Sequence, residues 1–182
     1  IAHAGIEKLE ARLDLVNSTE QICDMSDAYL LSNLSRRVFR AGIRHAVVDQ
    51  KWPEFEKAFL GFDPLKVALM SDDQLEGLMQ NEKIIRHWGK IKATRLNAFM
   101  VSEYQEKHGS FARFLANWPC DDIVGLWGEL KKQGAHLGGN SAGAFLRMIG
   151  KDTFLLTDDV VIALKAHLGK AEAIEFGMGY RF

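Results

Sequence analysis

Leu130-Lys131-Lys132-Gln133-Gly134-Ala135-His136-Leu137-Gly138-Gly139-Asn140-Ser141-Ala142-Gly143 reads as the end of one helix, a glycine turn and the start of another. The first helix stops at Gly134, Leu137-Gly138-Gly139 makes a tight turn, and a new helix begins at Asn140 or Ser141. Glycines let the backbone take positive φ and let another chain approach closely. The exposed amides of such a turn, with the start of the following helix, suit a phosphate oxygen. Gly134, His136, Leu137, Gly138, Gly139, Asn140 and Ser141 are therefore candidate phosphate-binding positions. Glycine loops are also ordinary interhelical turns, and this segment alone leaves both readings open.

Outward from the hairpin, apolar residues recur at three- and four-residue intervals and period-two alternation is scarce, so the expected fold class is all-α. Upstream, Ile6 to Val16 opens the helical series, and Ser26 or Asp27 caps a region running to about Lys51, with a possible break near Asn33. Pro53 fits the first turn of a helix to Leu60, and Asp63-Pro64 starts another that ends at Met70. Ser71-Asp72-Asp73-Gln74 is a capping box. The longest helix runs from Ile84 or Gly89 to His108, Gly109 ends it, and Ser110 caps the next. A helix from Asp121 or Asp122 to Gln133 enters the hairpin, one from Ser141 to Ile149 leaves it, and Thr157 caps a last one to Leu168. The tail from Gly169 to Phe182 has no clear period. With no repeat or linker, residues 1–182 read as one domain, with the hairpin motif at about 121–150.

Apolar residues make up 47% of the 182 and charged residues 26%, enough for a core within an ordinary polar surface. No apolar run is long enough to span a bilayer, and Ile1-Ala2-His3-Ala4 has neither the basic stretch nor the apolar core of a secretion signal. Cys23 and Cys120 have no Cys or His at metal-ligand spacing, so no disulfide framework, zinc site or other cofactor is expected, and the cytoplasm is the natural compartment. The formal net charge of −1 averages over the surface and leaves room for a local basic face.

Such a face is expected at Arg36, Arg37, Arg40 and Arg44, three of them at four-residue steps, with no acid between Asp27 and Asp49. Lys83, Arg86, Lys90, Lys92 and Arg95 form a second basic cluster, suited to a nucleic-acid backbone or simply to keeping a long helix solvated. Trp118, Trp127, Phe111 and Phe114 read as core.

After the second hairpin helix comes Phe154-Leu155-Leu156-Thr157-Asp158-Asp159, with its acids at a helix start. Helix, hairpin, helix, apolar connector and aspartate together resemble the helix-hairpin-helix DNA glycosylase superfamily. Phe39-Arg40-Ala41-Gly42-Ile43, Phe62-Asp63-Pro64-Leu65-Lys66-Val67-Ala68-Leu69-Met70, Ile84 to Ala93 and Asn97-Ala98 resemble the DNA-3-methyladenine glycosylase I family in the same order, over roughly residues 35 to 165. The resemblance implies a two-lobed helical bundle that binds double-stranded DNA as a monomer. It further implies a monofunctional glycosylase that flips out and excises an alkylated purine of the 3-methyladenine type. Asp159, with Asp158 next, falls at the superfamily's catalytic aspartate, which stabilises the oxocarbenium sugar and assists water. Thr157, Asp158 and Asp159 also make an ordinary helix cap.

Ile43 falls where the family places an apolar wedge that fills the space of a flipped base. Arg37, His45 and Trp52 are candidates for the base pocket, and Arg40 and Arg44 for the DNA backbone. The sequence also departs from the family. Its zinc site of cysteines and histidines has no counterpart, and Arg37 and His45 stand at the positions of a pocket glutamate and tryptophan. These departures motivate one alternative, a DNA-structure-binding module without chemistry. Another, a lyase, needs a lysine where the hairpin has Lys131, Lys132 and then Gln133.

Overall fold

The computed structural model describes residues 16–177, with side-chain surroundings up to 167. It is helical, with no strand among the described residues. In order the helices are α1 (Thr19–Cys23), α2 (Asp27–Arg40), α3 (His45–Ala58), α4 (Pro64–Ala68), α5 (Asp72–Leu78), α6 (Trp88–His108), α7 (Phe111–Asn117), α8 (Ile123–Gln133), α9 (Ser141–Met148) and α10 (Asp158–Gly177). Single 3₁₀ turns lie at Leu60–Phe62 and Cys120–Asp122.

Two central helices, α2 and α6, divide the molecule. On one side pack α3, the Leu60–Phe62 turn, α4 and α5; on the other pack α1, α7 and α9, with α8 held against α9. Each side has its own aromatic cluster. Trp52 stacks on Phe55 at 4.8 Å and on Phe62 at 5.4 Å, with Phe39 and Phe59 completing the group. Across the central pair, Tyr104 stacks on Phe114 at 4.0 Å, and Phe111 lies between Phe114 and Phe145. Burying one such ring contributes about 1.5–3 kcal/mol, so these clusters carry much of the drive for assembly. A single continuous core, with Leu30, Leu34, Ile91 and Ala98 among its members, runs through both lobes.

Local signals set most helix ends. Asp63 accepts from the Lys66 amide with Pro64 in the first turn, Ser71 and Gln74 form a reciprocal capping box, and Ser110 caps α7. Asp122 caps α8 by accepting from the Gly125 amide at 3.1 Å. Asp27, buried, accepts from the Phe111 and Ala112 amides and so pins the start of α7 to the start of α2.

Three expectations change. The region from Ser26 to Lys51 is two helices broken at 41–44, whereas Asn33 lies inside α2 with its side chain donating to the Tyr29 carbonyl. Pro53 sits within α3 rather than in its first turn. The helix tolerates a missing amide there because Val48, Trp52 and Phe55 bury its inner face, and packing outweighs one lost hydrogen bond. The last helix runs past Leu168 to Gly177. The helix expected from Ile6 lies outside the described residues except for Val16, which is not helical. Of the thiols, Cys23 is half-buried and Cys120 exposed.

Candidate functional site

Three segments meet at one end of the bundle: the 41–44 turn, the start of α6 and the glycine hairpin. Lys90 ties the first two together. Its side chain, 6% exposed, donates to the Phe39 and Ala41 carbonyls, the last acceptors of α2 that no helical amide reaches. Asn97, fully buried on α6, holds the hairpin, donating to the Ala135 carbonyl at 3.1 Å and accepting its amide at 2.7 Å. A Cβ on Gly89 would lie 3.9 Å from His136 Nε2, so the hairpin comes against the α6 start.

The hairpin backbone is unusual in two places. His136 has φ +60°, uncommon for a residue with a side chain, and Gly139 has φ +57°. A Cβ on Gly134 would lie 2.9 Å from the Leu130 carbonyl and strike the Leu137 side chain, so only glycine fits where the chain leaves α8. Gly138 and Gly139 are exposed, and among the described residues no acceptor takes their amide hydrogens. Two unbonded amides on exposed glycines just before a helix start are an arrangement suited to an anion. Leu137 takes part only through its backbone, since its side chain is 1% exposed, and Ser141 is likewise buried. Asn140 donates to the Leu156 carbonyl at 3.1 Å, linking the hairpin to the connector before Asp158.

The arginine stripe does not survive folding. Because α2 ends at Arg40, Arg44 belongs to the next helix as its N-cap residue, and it is exposed. The Arg40 guanidinium bonds both Asp49 carboxylate oxygens, at 2.7 and 2.8 Å, so its balancing acid lies one turn into α3. Arg36 lies over the Trp52 ring at 5.0 Å. Arg37 is half-buried, with its Nε enclosed and unpartnered among the described residues; burial first, then the neighbouring Arg40, pushes its pKa down. Lys90 is likewise lowered, first by burial and then by Arg37.

Trp52 is not a pocket wall. It is 1% exposed, and its Nε1 donates to Ser32 and Glu56 within the aromatic cluster. His45 is exposed in the first turn of α3, and Ile43 is half-buried against the core. The second basic cluster also dissolves. Arg95 pairs with Asp72 at 2.7 Å, Lys92 lies over Trp88 and Lys90 is buried. Asp158 and Asp159 are exposed in the first turn of α10, a helix with no extensive packing against another described helix. Sequence reasoning named Lys90, Asn97 and Asp49 but missed their roles as a cap of α2, the clamp on the hairpin and the partner of Arg40.

Two helices joined by a glycine turn with free amides, set into a two-lobed all-α bundle, define a helix-hairpin-helix fold. The model of the methyladenine glycosylase family matches residues 21–136, and the chain belongs to that family. That match ends before Asp158 and Asp159. DNA-3-methyladenine glycosylase 1 of Escherichia coli K12 is 36% identical over 76 residues, 42% of this chain. The Haemophilus influenzae DNA-3-methyladenine glycosylase is 32% identical over a stretch of equal length. The matched stretch spans 41% of each of these curated relatives. A crystal structure of 3-methyladenine DNA glycosylase I superposes with a TM-score of 0.62 at 26% identity, covering 75% of this chain and 82% of that one. The Staphylococcus aureus enzyme, from a study of 3-methyladenine recognition, gives 0.62 at 25% identity over 72% and 80%. Among the described residues no helix is long and apolar enough to cross a membrane.

Proposed function

We propose that this chain is a monofunctional DNA N-glycosylase that flips an alkylated purine out of duplex DNA and hydrolyses its glycosidic bond. The observation that carries the reading is the pair of free hairpin amides, Gly138 and Gly139, on the same end of the bundle as the 41–44 turn. The amides hold a backbone phosphate without reading sequence, and exposed Arg44 adds a second contact. Ile43 enters the stack where the base has left, and the base lies near Arg37 and His45. Extrusion costs a few kcal/mol, least for a damaged base, which gives part of the selectivity.

Asp159 assists water at the sugar carbon and faces the cationic sugar as the bond breaks. Its place in the first turn of α10 sets the carboxylate beside the positive end of the helix dipole. The Asn140 bond to Leu156 fixes the connector that delivers it.

The test is base release from methylated duplex DNA, with products separated by chromatography, for the wild type and Asp159→Asn. Release that disappears in Asp159→Asn supports both the activity and the role. Binding to abasic DNA without any release supports a DNA-structure-binding module instead.

A further inference from the structure

Gly89, in the first turn of α6, is the floor of a notch between two histidines. A Cβ placed on it would lie 3.5 Å from His87 Cε1 and 3.9 Å from His136 Nε2, so both rings border the same small space. They reach it from different elements, His87 as the N-cap residue of α6 and His136 from the hairpin, where its backbone holds φ +60°. Both are exposed, and neither pairs with a carboxylate among the described residues. His87 Nδ1 accepts the Lys90 amide hydrogen at 3.3 Å, so the neutral ring carries its own hydrogen on Nε2, open to a ligand. Neither nitrogen of His136 has a partner among the described residues, so that ring can donate and can take up a second proton.

The charges nearest the notch are cationic. Arg86 precedes His87, Lys92 lies over the Trp88 ring, and Lys131 and Lys132 stand in the last turn of α8. Lys90 turns its ammonium away to the Phe39 and Ala41 carbonyls. Of the acids on the neighbouring elements, Glu82 lies beside Arg86 and Glu129 accepts from Tyr104, while Asp158 and Asp159 follow the connector held by the Asn140–Leu156 bond. Donors set among cations suit an anion, and the free Gly138 and Gly139 amides come two residues after His136. We infer that His87 and His136 form a two-imidazole clasp on a backbone phosphate of duplex DNA, His136 taking up a proton as the phosphate binds. The proton comes from the buffer, so by linkage the affinity rises as pH falls. The inference rests on the DNA-binding part of the reading above and not on its chemistry.

The test is fluorescence-anisotropy binding of the full chain to a duplex carrying a non-cleavable abasic-site analogue, at about pH 6 and about pH 8 and over a range of salt. The wild type is expected to bind roughly threefold to tenfold more tightly at the lower pH, with a salt slope steeper by about one. His136→Asn, in which asparagine tolerates the positive φ, is expected to flatten that response. His87→Asn keeps a capping oxygen and is expected to weaken binding by a similar factor at both pH values. Gly89→Ala puts a methyl group at ordinary contact distance from both rings, so binding should weaken while the melting temperature holds. Melts at both pH values separate lost contacts from lost folding.

A wild-type affinity independent of pH, or a response that survives in His136→Asn or moves with His45→Asn, overturns the inference and leaves the glycosylase reading standing. Binding that depends on pH through His136, with no base released from methylated duplex DNA, supports the inference and removes the glycosylase reading. No binding at either pH overturns both.

Discussion

Asn97 and Ala135 exchange two hydrogen bonds, the side-chain amide donating at 3.1 Å and its oxygen accepting at 2.7 Å. An amide side chain thus takes the place of a peptide partner and fastens the hairpin to the long helix. Asn97→Ala leaves a half-buried carbonyl and amide of the hairpin unmatched, at a cost of about 1–3 kcal/mol. Urea unfolding should show this loss, and DNA affinity should fall with it. A midpoint within error of the wild type would mean that water replaces the clamp at no cost.

Two glycines of the same loop should respond in opposite ways. Gly134→Ala forces a Cβ against the Leu130 carbonyl at 2.9 Å and should destabilise by about 1–3 kcal/mol. Around Gly138 the nearest atom to an added Cβ is Lys131 Cε at 3.9 Å, so Gly138→Ala should leave the melting temperature nearly unchanged. Its methyl group nonetheless stands beside the open amides. Weaker binding to duplexes of any sequence, at unchanged stability, is the expected signature of a lost phosphate contact. Unimpaired binding would remove Gly138 from the interface.

The Arg40–Asp49 pair is two-pronged but only partly sheltered, with side-chain exposures of 20% and 40%. A double-mutant cycle with Arg40→Gln and Asp49→Asn should give a coupling of about 0.5–1 kcal/mol that shrinks as salt rises. Asp49→Asn alone should also strengthen DNA binding at low salt, because it frees the guanidinium. A coupling near zero would show that the bond holds no part of the 41–44 turn in place.

Asp63 gives a pH signature. Its carboxyl is held below the usual carboxylate range, chiefly by the Lys66 backbone amide; burial opposes this, and the Lys66 side chain adds to the lowering. A depressed native pKa means that the contribution is present above the unfolded value and lost as pH falls through the folded one. Asp63→Ala should therefore cost about 1 kcal/mol near neutrality and progressively less as the pH falls below the ordinary carboxylate range. Thermal melts of both proteins across that range check it, and a penalty independent of pH would assign the effect to the backbone turn.

Helix boundaries were legible wherever a local signal sets them. Asp63-Pro64, Ser71 with Gln74, Gly109 with Ser110, and Gly134 with the Gly138-Gly139 turn all satisfy backbone groups within three or four residues, so the sequence order itself carries the information. The hairpin and the all-α class followed from the same short-range physics. The α2–α3 break and the position of Pro53 were not legible, because there burial of Val48, Trp52 and Phe55 overrides local preference.

By itself the sequence determined where chains of amides and carbonyls begin and end, and where a glycine turn joins two helices. Only the tertiary structure decided what each charged residue does. Lys90 and Phe39 are 51 positions apart, yet burial brings the lysine onto the Phe39 carbonyl and turns it into a helix cap. Arg40 is neutralised by Asp49 and Arg37 by nothing among the described residues, although both sit on the same helix. Charge in a folded chain is set by which groups share the desolvated space, and that is a property of three dimensions.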